Sequence, residues 1–264
     1  MLHPTTKALL SQEETLALLA LLNIQTLPGL PGLSSYGASE CQMTALAAGE
    51  RSLRARGLAR LDADGRVQVP ADLLALIAAC GYAHGSLIVN QVAGARVQSC
   101  FAHRRDADLA FHTMPEAGLH QFEAAHDKAE LTAAMAEWAG WRVEPPAPAD
   151  PLTVSRGALE AARAAAQAGD VAAAQQRLSA AAPQASTAAR FAVSLAQPYT
   201  VTIVQALRTD PSAAVAMESL SVLGAADQQW LLTEVAAAEA AEPTFVIETA
   251  TRALLMDRIV HLGW

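Results

Sequence analysis

One stretch of the chain, Leu73 to Trp141, is followed by a second stretch of similar pattern, Ala188 to Trp264. The segments RVQSCFAHRRDADLAFHTMPEA and VAMESLSVLGAADQQWLLTEVA align without a gap, and this alignment places Asp108 on Asp227. Both stretches close with a helical pattern that ends in tryptophan. The repetition predicts a duplicated fold unit, and it constrains the architecture more than any single motif does.

Inside each copy the apolar residues recur with period two after an apolar helical run. Leu87 and Val89 alternate with Ile88 and Asn90, and the next two segments alternate in the same way. Such alternation is typical of strands. We therefore expect an α+β fold of two similar units, each a mainly antiparallel β-meander with flanking helices on one face, related by a pseudo-twofold.

The domain boundaries follow from composition. The N-terminal unit, 1–143, is expected to hold a helical lead-in, a winged-helix-like segment, a β-meander and a closing helix. The segment EPPAPADP at 144–151 is proline-rich and predicts a stiff linker. The C-terminal unit, 152–264, is expected to hold an alanine-rich helical hairpin, a β-meander and a closing helix. The sequence leaves open whether the units pair within one chain or with another copy, so a homodimer is one alternative.

Two local signals fix helix ends. Ser11 and Glu14 stand in the S-x-x-E relation of a capping box, which predicts a helix start. The alanine-rich segments SRGALEAARAAAQAG and DVAAAQQRLSAAAPQ predict a helical hairpin, with Gly169 as the stop and Asp170 as the next cap.

Composition limits the partners. Hydrophobic residues make up 52% of the 264 residues and charged residues 17%, below the roughly 25% usual in soluble domains, so apolar surface is expected to remain for a partner. The formal charge of −8 argues against nucleic acid as the main ligand. No apolar run reaches about 18 residues, so no membrane span is expected. The three cysteines lack CxxC spacing and are expected to be reduced core thiols of a cytoplasmic protein.

The segment from Glu40 to Cys80 suggests a second possible function. Helix, hairpin and helix follow one another there, as in a winged helix-turn-helix, and five arginines give the segment local positive charge: Arg51, Arg54, Arg56, Arg60 and Arg66. A transcription-associated DNA-binding module using residues 40–80 is therefore an alternative to protein binding. An arginine-rich solvated helix face explains the same residues.

Catalytic motifs are missing from the sequence. It contains no G-x-S-x-G, no P-loop and no G-x-G-x-x-G, so neither catalysis nor a cofactor is expected. The ligand-type residues concentrate between 103 and 126, where four histidines occur: His103, His112, His120 and His126. None has zinc-like spacing, and the second copy places Val222 and Leu231 opposite two of them. We expect solvated histidines on an open sheet face, while a metal there, and with it a metal-dependent enzyme, remains the alternative.

The turn HRRDAD carries Arg104, Arg105 and Asp106 at the tip of a predicted hairpin, and the matching turn of the second copy carries Leu223. Exposed arginine pairs with partner carboxylates, and an exposed leucine enters apolar grooves. These four residues are the candidate partner-binding residues. Two solvent loops that diverged after duplication are the alternative.

Several segments together resemble the EspG family of type VII (ESX) secretion chaperones, and the resemblance spans nearly the whole chain. Its most family-like pieces are RGL at Arg56 to Leu58, DGRV at Asp64 to Val67, and the strand pattern QQWLLTEV. The resemblance implies two similar α/β halves around a central sheet. It also implies a cytosolic, non-enzymatic protein that binds the helical tip of PE–PPE substrate heterodimers and keeps them soluble for export.

Overall fold

Twelve strands and eight α-helices occur in the parts of the chain that the computed structural model describes, residues 7–142, 150–180, 185–208, 216–226, 228–235 and 242–264. The proline-rich linker, apart from its last two residues, and Asp227 lie outside these ranges, so the predictions made for them stay predictions. The α+β class and an antiparallel sheet are confirmed.

The elements of the first half run in this order: β1 (Lys7–Ser11), α1 (Gln12–Leu21), a short 3-10 helix (Leu33–Tyr36), α2 (Ser39–Ala55), β2 (Arg60–Leu61), β3 (Val67–Gln68), α3 (Ala71–Gly81), β4 (Gly85–Ala93), β5 (Arg96–Arg105), β6 (Asp108–Glu116), β7 (Leu119–Ala125) and α4 (Lys128–Trp138). The second half follows: β8 (Leu152–Ser155), α5 (Arg156–Gln167), α6 (Val171–Ser179), α7 (Ala185–Ala196), β9 (Thr200–Arg208), β10 (Ala216–Gly224), β11 (Gln229–Val235), β12 (Thr244–Thr249) and α8 (Arg252–His261).

A single ten-stranded sheet joins the two halves. Its order is β1-β7-β6-β5-β4-β9-β10-β11-β12-β8, so both halves have the same strand order when read outward from the centre. The central strands β4 and β9 pair antiparallel, with Gly85 opposite Arg208 and Val92 opposite Val201. This arrangement is the one expected of a pseudo-twofold pair of units. Common origin by duplication remains a prediction.

Helices cover both faces of the sheet, whereas the sequence predicted one. On face 1, α4 and α8 pack against each other, and one apolar cluster there includes Val89 of the first half and Val204 of the second. On face 2 each half has its own layer. Helices α1 and α3 cover β1, β6 and β7 in the first half, and α5 to α7 cover β8, β11 and β12 in the second.

The register corrects the alignment of the two copies by one residue. Strands β4 and β9 are both nine residues long, and Leu87 lies on face 1 together with Val204 and Ala206. In the next pair of strands, the ungapped sequence alignment places His103 of β5 on Val222 of β10, but Val222 lies on face 1, whereas His103 follows the face-1 residue Ala102 and lies on face 2. A slip of one residue moves every side chain of a strand to the opposite face, because side chains alternate. The structural match of His103 is therefore Leu223, and that of His112 is Leu232, instead of Val222 and Leu231.

Most local predictions are confirmed. The Ser11 hydroxyl accepts from the Glu14 amide at 3.2 Å, and the Glu14 carboxylate accepts from the Ser11 amide at 2.8 Å. The helical hairpin is α5 and α6, with Gly169 at φ 83° and the Asp170 carboxylate capping Ala173. Strands β1 and β8, at the two edges of the sheet, were missed; each precedes a helix directly and has too few residues to show a period.

Candidate functional site

The middle of the sheet on face 2 lies between the two helical layers. Along β4 the face-1 residues Leu87 and Val89 are buried, while the face-2 residues between them are half-buried, and β9 follows the same pattern. The apolar members of this face-2 row form the central strip, which we define by six residues: Ile88, Val92, Val97, Val201, Ile203 and Leu207. Val97, on β5 opposite Val92, is 62% exposed.

A cavity opens at the Val92–Val201 end of the strip. Its volume is about 920 Å³, and its walls come from the β4–β5 turn, from α5 and from the segment Leu195–Val201 that connects α7 to β9. A second space of about 250 Å³ shares Arg163, Leu195, Tyr199 and Val201 with it and continues under α5 toward Phe245. We call the two spaces together the Tyr199 cavity. Ligand pockets usually have volumes of about 300–1,000 Å³, so the space admits side chains of a partner.

The rim of the Tyr199 cavity is partly basic. Arg156 lies 3.3 Å from the Glu234 carboxylate and 5.9 Å from the Phe245 ring, so its charge is already matched. Arg163, two helical turns further along α5, is exposed and makes no ion pair among the described residues. Among the described residues, the rim therefore offers one guanidinium without an ion pair, that of Arg163, beside a mainly apolar cavity.

The predicted turn of Arg104, Arg105 and Asp106 lies at the opposite end of the strip. The β5–β6 hairpin turns at Asp106, whose φ is 54°, and the Asp106 carboxylate lies 3.5 Å from His84 Nδ1. Arg105 stacks over the Tyr82 ring with its guanidinium carbon 5.4 Å from the centroid. These contacts hold the turn against the loop after α3. Asp106 is exposed, and Arg105 is half-buried.

The four candidate partner-binding residues do not come together. Arg104 pairs with Gly85 at one end of β4, whereas Leu223 pairs with Val201 beside the other end, which corresponds to a separation of about 23 Å along the strand. The exposed position expected for Leu223 is wrong: it is 5% exposed and packs in the face-2 core of the second half. It lines the inner wall of the Tyr199 cavity.

The expectation of solvated histidines is wrong for three of the four. His103, His112 and His120 are buried on face 2 of the first half, and only His126 is exposed. The histidines stack with Phe101 and Phe122, and His112 Nε2 lies 3.0 Å from His120 Nδ1. Burial lowers the pKa of His103 to about 4 and holds the pKa of the other two below the usual value. Among the described residues no group of three or more His, Cys, Asp or Glu side chains is suited to a metal ion.

The winged-helix-like segment has the predicted elements, but α3 is packed on the sheet through Leu76, Ile77 and Ala79. Two of the five arginines are matched by carboxylates. Arg56 Nη1 lies 2.6 Å from the Glu14 carboxylate, and Arg54 Nε lies 3.3 Å from that of Glu50. No observation on this segment favours contact with nucleic acid over a structural role.

Two further expectations are tested by burial and helix length. Cys80 and Cys100 are buried thiols whose pKa burial raises, while Cys41 is exposed on α2, so the core position expected for Cys41 is wrong. None of the described helices combines the length and the apolar character that a membrane crossing requires.

Sequence reasoning missed the central strip and the Tyr199 cavity. One signal was present: β9, TVTIVQALR, has apolar residues on both faces, with Val204 and Ala206 on one and Val201 and Ile203 on the other. A strand of an antiparallel sheet with a solvated face alternates apolar and polar residues. The pattern of β9 therefore indicates that both of its faces are covered.

The comparisons with known proteins give a likeness of fold. No protein-family model and no curated protein sequence matches the chain. The structure is similar to that of the Mycobacterium tuberculosis type VII secretion system chaperone EspG5, solved in complex with the PE25–PPE41 dimer. The two share 15% sequence identity at a TM-score of 0.66, over 96% of this chain and 94% of that chain. At this identity the likeness shows that the chain has an EspG-like fold.

Proposed function

We propose that the protein is a non-enzymatic adaptor of the EspG type, which binds a helical secretion substrate in the cytoplasm through the central strip and the Tyr199 cavity. The observation that carries this proposal is the half-buried surface between the two helical layers of face 2, where the apolar side chains of the central strip lie among polar ones such as Ser86, Asn90 and Gln205. The full-length likeness to a chaperone solved with a protein dimer supports it.

The geometry of the strip suits a helix. Its floor is two strands wide, because β4 and β9 pair side by side, and helical layers stand on either side. Neighbouring strands are about 4.8 Å apart, so the floor and its flanking rows match the roughly 10 Å diameter of a helix. An apolar stripe on such a helix would contact Ile88 and Ile203. A bulky side chain at its end would enter the Tyr199 cavity.

Affinity and orientation have different sources in this proposal. The apolar residues of the strip supply most of the affinity, at roughly 25 cal/mol for each Å² of apolar surface removed from water. Arg163, which makes no ion pair among the described residues, pairs with a partner carboxylate and sets the direction of the helix. The turn of Arg104, Arg105 and Asp106 contributes a further contact at the far end of the strip.

Paired variants test the proposal. The tagged protein is used to recover its partner from the cell that makes it, and the partner is then identified, produced alone and titrated by calorimetry. Val97→Asp places a charge in the strip at an exposed position, and Val260→Asp places the same charge on α8, where Val260 is 38% exposed. We expect the first variant to lower the affinity at least tenfold and the second to leave it unchanged. Equal affinities for both variants would contradict the proposal.

A further inference from the structure

A separate polar cavity lies on face 1, beside the segment that follows α4. Its volume is about 280 Å³, and the described residues that line it include Gln91, Trp141, Arg142, Thr200, Thr202 and Gln229. It shares Thr200 and Gly224 with the wall of the Tyr199 cavity. None of the described lining residues is an aspartate or a glutamate.

Trp141 presents a buried donor without an acceptor. It is 4% exposed, and its indole Nε1 has no hydrogen-bond partner among the described residues. Its counterpart Trp264, which closes the second half, is 2% exposed and donates from Nε1 to the Ile259 carbonyl at 3.2 Å. The Ala136 carbonyl, five residues before Trp141, accepts instead from the Trp141 backbone amide at 2.9 Å. A buried donor left unpaired destabilises the folded state, because it has lost its hydrogen bond to water without gaining another.

Three groups around the cavity can donate to a ligand: Trp141 Nε1, the Gln229 amino group and the Arg142 guanidinium. The Gln229 carboxamide oxygen already accepts from the Arg142 amide at 2.8 Å, which leaves its amino group to donate. The Gln91 carboxamide nitrogen donates to the Ala139 carbonyl at 2.9 Å and to the Thr202 hydroxyl at 3.5 Å, so Gln91 offers a ligand no further donor. The Arg142 guanidinium adds a positive charge and contacts the Ala226 carbonyl. Donors and a cation without a carboxylate suit an anionic acceptor.

The geometry points to a binding site for a small carboxylate in this cavity, with Trp141 Nε1 and the Arg142 guanidinium as its two main donors. A volume just under the usual range of ligand pockets limits the occupant to a small acid. The ligand accepts the hydrogen bond from Trp141 Nε1, as the Ile259 carbonyl accepts the one from Trp264 Nε1. This site is distinct from the central strip, which lies on the other face.

The indole protons report on the site directly. Nitrogen-15 labelling gives one Nε1–H signal for each of the four tryptophans, and Trp141→Phe identifies the one from Trp141. Sodium acetate and sodium succinate are titrated into the whole protein against sodium chloride at equal ionic strength. We expect a saturable downfield shift of the Trp141 proton and no shift of the Trp264 proton. A shift that grows linearly without saturation, or none, would overturn the inference.

Two variants and a neutral analogue complete the test. Arg142→Gln keeps an exposed polar side chain and removes the charge, so the fold is retained and the acetate affinity should fall about tenfold or more. Acetamide offers a carbonyl without a charge and should give a much smaller shift. An unchanged affinity in Arg142→Gln, or an equal response to acetamide, would show that no carboxylate is selected.

Discussion

His112 Nε2 lies 3.0 Å from His120 Nδ1 inside the first half of the sheet, and both rings are buried. His103 joins them on the same face and contacts the Ser86 hydroxyl through Nδ1 at 3.0 Å. In the second half the matching positions hold Leu223, Leu232 and Phe245, which line the Tyr199 cavity. The two halves therefore fill the same layer with imidazoles on one side and with hydrocarbon on the other.

Because three imidazoles are buried, we expect the free energy of unfolding to decrease as the pH is lowered. Their pKa values are lowered on folding, so between the folded and the unfolded pKa the unfolded chain binds more protons. The contribution of the neutral histidines to stability is fully present above about pH 6.5, the pKa of histidine in the unfolded chain, and is lost as the pH falls below that value. His103 alone, with a pKa of about 4, contributes roughly 3 kcal/mol of loss by pH 4. Urea denaturation from pH 7.5 to pH 4.5 measures the loss.

The second half supplies the control for this prediction. His103→Leu copies Leu223, its structural match, and removes one titrating group. The variant should lose less stability than the wild type between pH 6.5 and pH 4.5. Identical pH profiles for the variant and the wild type would contradict the assignment.

Gly49 marks the closest approach of α2 to α1. A Cβ at this position would lie 2.1 Å from the Glu13 backbone carbonyl. Gly49→Ala gains about 1 kcal/mol of helix propensity, but the clash with backbone forces a shift that costs about 1–3 kcal/mol, so we expect net destabilisation. Gly157→Ala is the matched control, because its Cβ would meet only the flexible Glu242 side chain. Thermal denaturation should show Gly49→Ala below the wild type and Gly157→Ala at or above it.

The buried carboxylate of Glu14 is paired with the guanidinium of Arg56. The Glu14 side chain is 1% exposed and accepts from Arg56 at 2.6 Å and from Ser52 at 2.7 Å. Arg56→Leu would leave a buried carboxylate without its cation, and we expect a loss of about 1–3 kcal/mol in the free energy of unfolding, because Arg56 is half exposed and Glu14 keeps its bond to Ser52. The double variant Glu14→Gln with Arg56→Leu should recover part of it. A single variant as stable as the wild type would show that the pair is not formed.

The turn at Asp106 gives a prediction about the partner. Arg105→Glu reverses a charge beside Tyr82 at the far end of the strip. If the turn contacts the partner, the variant slows association and makes binding less sensitive to salt, while the melting temperature stays near the wild type. Stopped-flow mixing with the purified partner measures the rate. An unchanged rate would remove the turn from the contact surface.

Local signals in the sequence predicted local structure well. The capping box of Ser11 and Glu14, the cap at Asp170 and the alternation of β4 to β7 depend on residues a few positions apart. The site depends on relations across the chain. The pairing of β4 with β9 joins residues more than a hundred positions apart in the chain. The face of β5 that carries His103 is likewise set by packing between the two halves. The ungapped alignment is displaced by one residue at β10, because the sequence does not show where β5 and β10 begin relative to their neighbouring strands.

Cross-linking locates the surface that binds the partner. A photoreactive phenylalanine analogue replaces Val97, in the strip, or Val260, on α8, and each variant is irradiated with the bound partner. We expect a cross-linked product from position 97 that maps to one apolar stripe of a partner helix, and none from position 260. Cross-links from position 260, or from neither position in a complex that still forms, would place the binding surface elsewhere.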